Sequence, residues 1–256
     1  MRGQTALITG ATSGFGLATA ELLAAEGCHL LITGRRADRL NELSERLQKT
    51  YGVRVQPLVF DVTDRASVER ALGGVSSTLK DLTILINNAG LALGAEPLAS
   101  GSIEDWESMI DTNLKGLLYV TRYCLPHFLA GGCGHIVNIG SVAGRWVYPG
   151  GAVYSATKFA VRALSDSLRL DLMGKNIRVT NIEPGMAETE FSEVRFKGDK
   201  SKANAVYTGV KALSAQDVAE TIVWCLARPQ HVNIQELVIF PADQAGVGPS
   251  YTFRHP

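Results

Sequence analysis

The chain has 256 residues, of which 46% are hydrophobic and 20% are charged, and this balance is typical of a globular protein with one large core. Twenty-five basic residues offset twenty-five acidic residues, so electrostatics favour neither nucleic acid nor an anionic membrane as the main partner. We therefore expect a single domain over residues 1–256 that acts on a small molecule.

The four cysteines and five histidines show no metal-binding or Cys-x-x-Cys spacing. Free thiols in a reducing compartment are the simplest interpretation, which predicts a cytoplasmic protein without a metal ion. The first residues lack the apolar core of a signal peptide, and the longest charge-free run, residues 123–144, is interrupted by proline and glycine. We expect no membrane contact.

A short strand is predicted at residues 4–9, and a glycine-rich turn and an apolar-faced helix follow it. Strand, glycine turn and helix are typical of a phosphate-binding site, because glycine lets the backbone approach a pyrophosphate and the helix N-terminus presents free N–H groups. The spacing is Gly-x-x-x-Gly-x-Gly, which differs from the general Gly-x-Gly-x-x-Gly fingerprint. The candidate cofactor-binding residues of this turn are Gly10, Thr12, Ser13, Gly14, Phe15 and Gly16.

The second strand is predicted at residues 28–33, and Arg35 and Arg36 follow it. NAD enzymes carry an acidic residue here for the ribose 2′-hydroxyl, whereas arginine matches the 2′-phosphate of NADP. We therefore predict that both arginines bind NADP. The alternative is that they only flank the solvated start of the next helix, which is predicted at residues 38–50.

The third strand, predicted at residues 53–60, ends in an acidic cluster. Asp61 is a candidate acceptor for the adenine amino group, while Thr63 or Asp64 is placed to cap the next helix, and capping alone could explain the whole cluster. The continuous apolar run at residues 82–87 predicts a parallel strand buried on both faces. Small residues follow it, and they would let a cofactor lie close: Asn88, Ala89 and Gly90.

A long helical pattern runs from residue 103 to residue 128, and Asn113 interrupts it with a low helix propensity. An inward-facing Asn113 would bend the helix and hold a water beside Lys158. Plain surface exposure of Asn113 is the alternative.

A fifth strand is predicted at residues 134–140, and it delivers Ser141 to the end of the sheet. A helix is predicted from residue 151 to about residue 173, which stacks Tyr154 and Lys158 on one face at i and i+4. A charge roughly 4 Å from a phenolate is worth about 4 kcal/mol at an effective dielectric of about 20, or about three pKa units. We therefore expect Lys158 to lower the pKa of Tyr154 towards neutrality, which suits an acid/base catalyst.

The Tyr-x-x-x-Lys pair is weak evidence alone, because the tyrosine and lysine content predicts about one chance match in four chains of this length. An exposed Tyr and Lys on a helix would give the same pattern. The nucleotide-binding pattern at the start of the chain is what favours the catalytic interpretation.

A strand predicted at residues 177–182 leads into Pro184, Gly185 and a polar, lysine-rich stretch from residue 190 to residue 207. This stretch looks irregular, and a loop of such length in a compact domain is usually functional, so we predict a substrate lid at about residues 186–210.

A helix at residues 215–228 and a strand at residues 234–240 complete the predicted elements. Their alternation predicts an α/β fold with a doubly wound parallel sheet. The Pro/Gly-rich C-terminal tail is predicted either to be disordered or to dock on a neighbouring subunit.

Together the motifs resemble the short-chain dehydrogenase/reductase family over essentially the whole chain. They appear in the family's order: Thr9-Gly10-x-x-x-Gly14-x-Gly16, Asn87-Asn88-Ala89-Gly90, Asn113, Ser141, Tyr154-x-x-x-Lys158 and Pro184-Gly185-x-x-x-Thr189. The resemblance implies a Rossmann fold with seven parallel strands and helices on both faces of the sheet. The chain departs from the family pattern at Thr180, where many members carry Asn.

The resemblance also implies a catalytic tetrad of Asn113, Ser141, Tyr154 and Lys158. Tyr154 is expected to be the acid/base, and Lys158 to bind the nicotinamide ribose and lower the tyrosine pKa. Ser141 is expected to orient the substrate oxygen, and Asn113 to support a proton-relay water. The remaining expected cofactor contacts are Asp61, Val62, Asn88, Ala89, Gly90, Tyr154, Lys158, Pro184, Gly185 and Thr189.

A narrower resemblance covers residues 88–94, 104–113 and 189–199, which are similar to the NADP-dependent serine/3-hydroxy acid dehydrogenase subgroup. It implies oxidation of the 3-hydroxyl of small acids such as serine, allo-threonine or 3-hydroxyisobutyrate, with NADP as cofactor, in a homotetramer.

A small hydroxy acid requires a cation for its carboxylate, and the candidates are Arg145, Arg195 and Lys197. We hypothesise that Arg195 or Arg145 provides it, because Arg195 lies in the predicted lid and Arg145 in the loop after Ser141. A solvated loop charge is the alternative for either residue.

The sequence thus predicts an enzyme that transfers hydride from C3 of a small 3-hydroxy acid to NADP while Tyr154 takes the hydroxyl proton. One alternative is an NADPH-dependent reductase of carbonyl or dicarbonyl compounds with the same fold. The other is an NADP-binding sensor that lacks catalysis.

Overall fold

The computed structural model describes residues 1–248 and 251–255. Its strands are β1 (Thr5–Ile8), β2 (His29–Gly34), β3 (Val55–Val59), β4 (Leu82–Asn87), β5 (Gly134–Ile139), β6 (Ile177–Pro184) and β7 (Glu236–Ile239). They form one parallel sheet in the order β3-β2-β1-β4-β5-β6-β7. The predicted seven-stranded doubly wound sheet is confirmed.

The helices are α1 (Gly14–Ala25), α2 (Ala37–Tyr51), α3 (Arg65–Gly73), α4 (Ser76–Leu79), α5 (Ile103–Ile110), α6 (Leu117–Gly131), α7 (Ala152–Asp171), α8 (Glu190–Arg195), α9 (Lys200–Tyr207) and α10 (Ala215–Leu226). Apolar side chains of α1, α2 and α10 pack on one face of the sheet. Those of α3, α4, α6 and α7 pack on the other. Helices therefore cover both faces, as the sequence predicted.

The central strands contribute side chains to both cores in turn. In β1, Ala6 and Ile8 belong to the core under α1 and α10, while Leu7 belongs to the opposite one. In β4, Ile86 and Leu85 are divided between the two cores in the same way. Successive side chains of a strand point to opposite faces, so a strand covered on both faces must be apolar throughout.

The order of the strands reverses between β1 and β4, which are neighbours in the sheet. In doubly wound sheets, ligands bind at this switch point, in the crevice beyond the carboxyl ends of the strands. The glycine turn after β1 and the segments after β4, β5 and β6 all open at this edge.

Residues 186–210, the predicted lid, are here named the α8–α9 segment. The sequence predicts an irregular stretch at residues 190–207, but the structure has two short helices there. Thr189 begins α8 by accepting a hydrogen bond from Phe191 N, and Asp199 begins α9 by accepting one from Lys202 N. These side-chain caps satisfy backbone groups that a helix of one or two turns otherwise leaves unpaired.

The C-terminal tail packs on its own chain. His255 N donates to Gly209 O, and Phe253 N donates to Asp243 O. Disorder is therefore the wrong prediction for the end of the tail that the structure describes. The prediction also covered Pro249, Ser250 and Pro256, which lie outside the described residues.

No helix in the described part of the chain combines the length and the apolar character that a membrane span requires.

Candidate active site

A cavity of about 640 Å³ lies at the carboxyl edge of the sheet. It brings together most of the predicted site residues, which come from segments far apart in the chain. Those lining it are Gly10, Thr12, Ser13, Gly14, Phe15, Arg35, Arg36, Asp61, Val62, Asn88, Ala89, Gly90, Ser141, Tyr154, Lys158, Pro184, Gly185, Thr189 and Arg195. Gly16, Asn113 and Arg145 do not line it.

The glycine turn requires left-handed backbone, with φ of +66° at Gly10 and +54° at Gly14. Asn88 ties the turn to the end of β4, because its Nδ2 donates to Thr9 O at 2.9 Å and to Gly10 O at 3.1 Å. Gly16 leaves room for the Asn88 side chain beside the turn, since a Cβ there would lie 2.5 Å from Asn88 Nδ2. Asn88 thus shapes the turn as well as facing the cavity.

Arg36 lies across the glycine turn. Its Nε and Nη2 donate to Thr12 Oγ1 at 3.0 and 2.7 Å, and Nη2 also donates to Ser13 Oγ at 2.9 Å. Arg36 stands at the start of α2, as the alternative interpretation held, but its side chain is turned towards the cavity. The Arg35 side chain is 69% exposed and lies 3.6 Å from Asp61. The cavity therefore carries two guanidinium groups beside the phosphate-type turn.

The acidic cluster after β3 divides into two roles. Asp64 caps α3 by accepting a hydrogen bond from Ser67 N at 3.1 Å. Asp61 accepts from Thr63 N and Thr63 Oγ1, both at 2.9 Å, and it lines the cavity. Capping thus accounts for Asp64, and the adenine contact of Asp61 stays a prediction.

Tyr154 and Lys158 lie on the first turns of α7, with Lys158 Nζ 5.8 Å from the centre of the Tyr154 ring. Lys158 Nζ donates to Ile139 O at 2.7 Å, which fixes the ammonium at the end of β5. Ser141 follows the same strand, and its Oγ accepts from Ala143 N at 3.1 Å. All three side chains face the cavity.

The pKa values differ from the expectation for this pair. Burial raises the pKa of Tyr154 above its usual value, the nearby Tyr148 raises it further, and Ser141 and Arg195 oppose the shift. Burial also lowers the pKa of Lys158 to about 8. A low-dielectric site disfavours the charged form of both groups, so burial dominates the shift of the tyrosine pKa, and the expected lowering by Lys158 is not among its causes.

Asn113 is only 2% exposed, which excludes the surface alternative. It lies in a π-helical turn, Asp111–Gly116, that separates α5 from α6, so the predicted interruption of the helix is confirmed. Its Oδ1 accepts from Leu91 N at 2.8 Å, and its Nδ2 donates to Leu91 O at 2.8 Å and to Thr157 Oγ1 at 3.0 Å. Asn113 therefore joins the segment after β4 to α7 beside Lys158.

The two arginines proposed for a substrate carboxylate have different surroundings. Arg195 lines the cavity, donates from Nε to Gly94 O at 2.9 Å, and lies 5.5 Å from the Tyr148 ring. Arg145 is bound instead to the carboxylates of Glu183 and Glu236. Glu183 is fully buried and needs a cation, so the Arg145 guanidinium is not available to a substrate.

Three residues of the site were not predicted. Phe191 lies edge-on to the Tyr154 ring, with 5.7 Å between the ring centres. Tyr148 contacts Arg195 across the cavity, and Glu190 forms ion pairs with Arg36 and Arg39. Glu190 and Phe191 directly follow Thr189, so their place in the predicted lid was the available signal. Their partners lie far away in sequence.

In the ranges 1–248 and 251–255, no group of three or more His, Cys, Asp or Glu side chains is placed to hold a metal ion.

Comparison with known proteins agrees with this geometry. Residues 4–200 match the short chain dehydrogenase family. The chain is 48% identical over 243 residues to the NADP-dependent 3-hydroxy acid dehydrogenase YdfG of Escherichia coli K12, covering 94% of this chain and 96% of the relative. It is 45% identical over 244 residues to serine 3-dehydrogenase of Agrobacterium fabrum, covering 95% and 96%.

Solved structures give the same result. The closed form of a serine dehydrogenase complexed with NADP⁺ matches with a TM-score of 0.90 and 47% identity, over 96% of this chain and 98% of that one. A serine dehydrogenase from Escherichia coli matches with a TM-score of 0.82 and 42% identity, over 94% and 100%.

A doubly wound sheet with a Tyr–Lys pair beside a glycine turn defines a dinucleotide-dependent oxidoreductase. The chain belongs to the short chain dehydrogenase family.

Proposed function

We propose that this chain is an NADP-dependent dehydrogenase of small 3-hydroxy acids. The observation that carries the proposal is one cavity that holds Tyr154, Lys158 and Ser141, the arginines beside the glycine turn, and a cation, Arg195, for the acid. The similarity to relatives named for NADP, serine and 3-hydroxy acids supports the same choice.

The residues of the cavity fit NADP. Left-handed glycines leave the turn open for a pyrophosphate, and the hydroxyls of Thr12 and Ser13 lie with Arg36 where a further phosphate would be bound. Arg35 adds a second guanidinium at this end. When bound, NADP supplies the nicotinamide carbon that accepts or returns hydride.

The protein's own side chains handle the proton. Tyr154 exchanges a proton with the substrate oxygen, and Ser141 orients that oxygen by hydrogen bonding. Lys158, held by Ile139 O, places a cation beside the phenol and stabilises its anion. Asn113 is proposed to hold the relay water, because it is buried next to α7 and shares a hydrogen bond with Thr157.

The substrate carboxylate is proposed to bind Arg195. This guanidinium is fixed by Gly94 O and by the aromatic rings of Tyr148 and Phe196, which leaves a charged edge at the cavity. Fixing a flexible side chain before the ligand arrives lowers the entropy cost of binding.

We further propose that the chain works as one domain and that the α8–α9 segment is the substrate lid. Phe191, Val194 and Arg195 of α8 line the cavity, so any movement of this segment opens or closes it. The four cysteines are unpaired, which supports work in the reducing cytoplasm.

A homotetramer is the proposed assembly. Large apolar side chains are exposed on three helices, where packing against other subunits would cover them: Leu118 on α6, Phe159 and Leu170 on α7, and Trp224 on α10. Sedimentation velocity of the purified chain should give about four times the monomer mass of 27.5 kDa. A monomer would contradict the assembly without affecting the proposed chemistry.

The test of function is steady-state kinetics with L-serine, L-allo-threonine, 3-hydroxyisobutyrate and an uncharged secondary alcohol, each with NADP and with NAD. We expect turnover of the acids with a strong preference for NADP. Turnover of the uncharged alcohol alone would instead support a carbonyl or dicarbonyl reductase. The observation that favours this second candidate is the apolar part of the cavity near Arg195, which is lined by Phe191, Val194 and Val206. Binding of NADPH without any turnover would indicate a sensor.

A further inference from the structure

Glu190, the first residue of α8, connects the α8–α9 segment to the arginines beside the glycine turn. Its Oε2 lies 2.8 Å from Arg36 Nη1, and its Oε1 lies 2.7 Å from Arg39 Nη1. The two partners are 154 and 151 residues away in the chain. One carboxylate thus holds the segment against the start of α2.

The Arg36 guanidinium is already engaged on all three of its nitrogens. Nε and Nη2 donate to Thr12 and Ser13 of the glycine turn, and Nη1 donates to Glu190. These four hydrogen bonds leave one of the five N–H groups, on Nη1, so a 2′-phosphate that binds Arg36 there meets the Glu190 carboxylate on the same nitrogen. Hydroxyl groups are neutral and can rotate, whereas the Glu190 carboxylate repels an incoming phosphate dianion.

We propose that Glu190 is a resident counter-ion of the 2′-phosphate site, which the 2′-phosphate of the cofactor displaces from Arg36. The inference rests on the proposed use of NADP. It makes Glu190 a positioning residue that holds the Arg36 guanidinium across the glycine turn until the 2′-phosphate binds.

The exposure of the pair suits a reversible contact. The side chains of Arg36 and Glu190 are 39% and 41% exposed, and half-exposed ion pairs contribute little net stability. Burial acts to raise the pKa of the Glu190 carboxyl, but hydrogen bonds from Arg36 and Arg39 outweigh it and the pKa is lowered. The carboxylate is therefore anionic at neutral pH and ready to exchange with another anion.

The binding test compares 2′,5′-ADP, which carries the 2′-phosphate, with ADP, which lacks it. In Glu190→Gln we expect 2′,5′-ADP to bind about two- to fivefold more tightly than in the wild type, because the competing anion is gone, while ADP binding is unchanged. Glu193→Gln is the matched control, since Glu193 is exposed on the same helix. Isothermal titration calorimetry measures both ligands.

The outcomes separate this inference from the proposed function. If wild-type protein binds 2′,5′-ADP no better than ADP, the proposed preference for NADP fails, and the inference fails with it. If the wild type prefers 2′,5′-ADP but Glu190→Gln weakens that binding or leaves it unchanged, Glu190 is not a displaced counter-ion, and only the inference is overturned.

Discussion

Tyr154 and Lys158 lie in surroundings that disfavour charge on either side chain. Burial raises the pKa of the phenol and lowers that of the ammonium to about 8. At neutral pH the unliganded protein therefore keeps Tyr154 as a neutral proton donor, with a protonated Lys158 beside it. The phenol then gains or loses its proton only when a substrate oxygen is hydrogen-bonded to it. This protects it from side reactions with water.

Replacing Tyr154 with Phe removes the only atom of this side chain that can exchange a proton. We expect turnover to fall by about three orders of magnitude or more, because general acid–base catalysis of this kind contributes about 10²–10⁴-fold. The Kd for NADPH, measured by fluorescence titration, should stay within about threefold of the wild type. Substantial turnover by Tyr154→Phe would contradict the acid/base role.

Arg195 is the residue whose loss should affect the acid and not the alcohol. In Arg195→Ala we expect KM for a hydroxy acid to rise by about tenfold or more, since a charge-assisted hydrogen bond is worth about 1.5–3 kcal/mol. The KM for an uncharged alcohol should change little. Steady-state kinetics with both substrates checks this.

Arg145→Ala is the contrasting variant for that experiment. It leaves the buried Glu183 without its closest cation, so we expect a loss of unfolding free energy of about 3 kcal/mol. The KM for the acid should follow the wild type. An unchanged KM in Arg195→Ala would show that another group binds the carboxylate.

At the scale of elements, β5 and β6 are joined by a buried histidine. His135 Nε2 lies 2.8 Å from Thr180 Oγ1, and Thr180 Oγ1 donates to Ile234 O at 2.7 Å. The threonine proton is thus already used, so His135 donates from Nε2. Thr180 is the position where the chain departs from the family pattern, and its hydroxyl group finds both a donor and an acceptor within the chain.

This histidine predicts a dependence of stability on pH. Burial, assisted by the charge of Arg178, lowers the pKa of His135 to about 3, against an ordinary value of 6.5. The unfolded chain therefore binds a proton between these two pH values and the native state does not. Stability from this group is complete above pH 6.5 and is lost as pH falls towards 3.

Urea unfolding at pH 8 and pH 5 measures the effect. Between these values the wild type should lose on the order of 2 kcal/mol more than His135→Gln, which keeps a donor for Thr180 but does not titrate. His231→Gln, a change of an exposed histidine, should lose as much as the wild type. Equal losses in the wild type and His135→Gln would mean that His135 is protonated in the folded state.

Elements whose signal is local could be predicted from the sequence. The glycine turn, the apolar run of β4 and the Tyr154–Lys158 pair each lie within a few residues, where periodicity and spacing are informative. The surroundings of Arg145 could not, because its partners Glu183 and Glu236 lie 38 and 91 residues away. The contact of Glu190 with Arg36 could not be predicted either, because 154 residues separate the two in the chain. The pKa of Tyr154 is raised and not lowered, because it depends on burial, which the sequence does not show.

At the scale of the molecule, the C-terminal residues hold both ends of the α8–α9 segment. Gln244 Oε1 accepts from Met186 N at 2.7 Å at the beginning of the segment. At its end, His255 N donates to Gly209 O, and Arg254 donates to Thr208 O. The last part of the chain thus fixes the two points about which the proposed lid would move.

Ending the chain after Tyr251 should therefore release one end of the segment while leaving the other in place. Each lost hydrogen bond is worth about 1 kcal/mol, so we expect amide hydrogen exchange in α9 to quicken by about tenfold or more. The same variant should show a higher KM for the hydroxy acid, because a mobile segment holds Arg195 less firmly, while the Kd for 2′,5′-ADP should stay near the wild-type value. Unchanged exchange in α9 would mean that the tail contacts do not restrain the segment. Exchange that quickens throughout the sheet as well would mean that the tail stabilises the whole fold and not the lid alone.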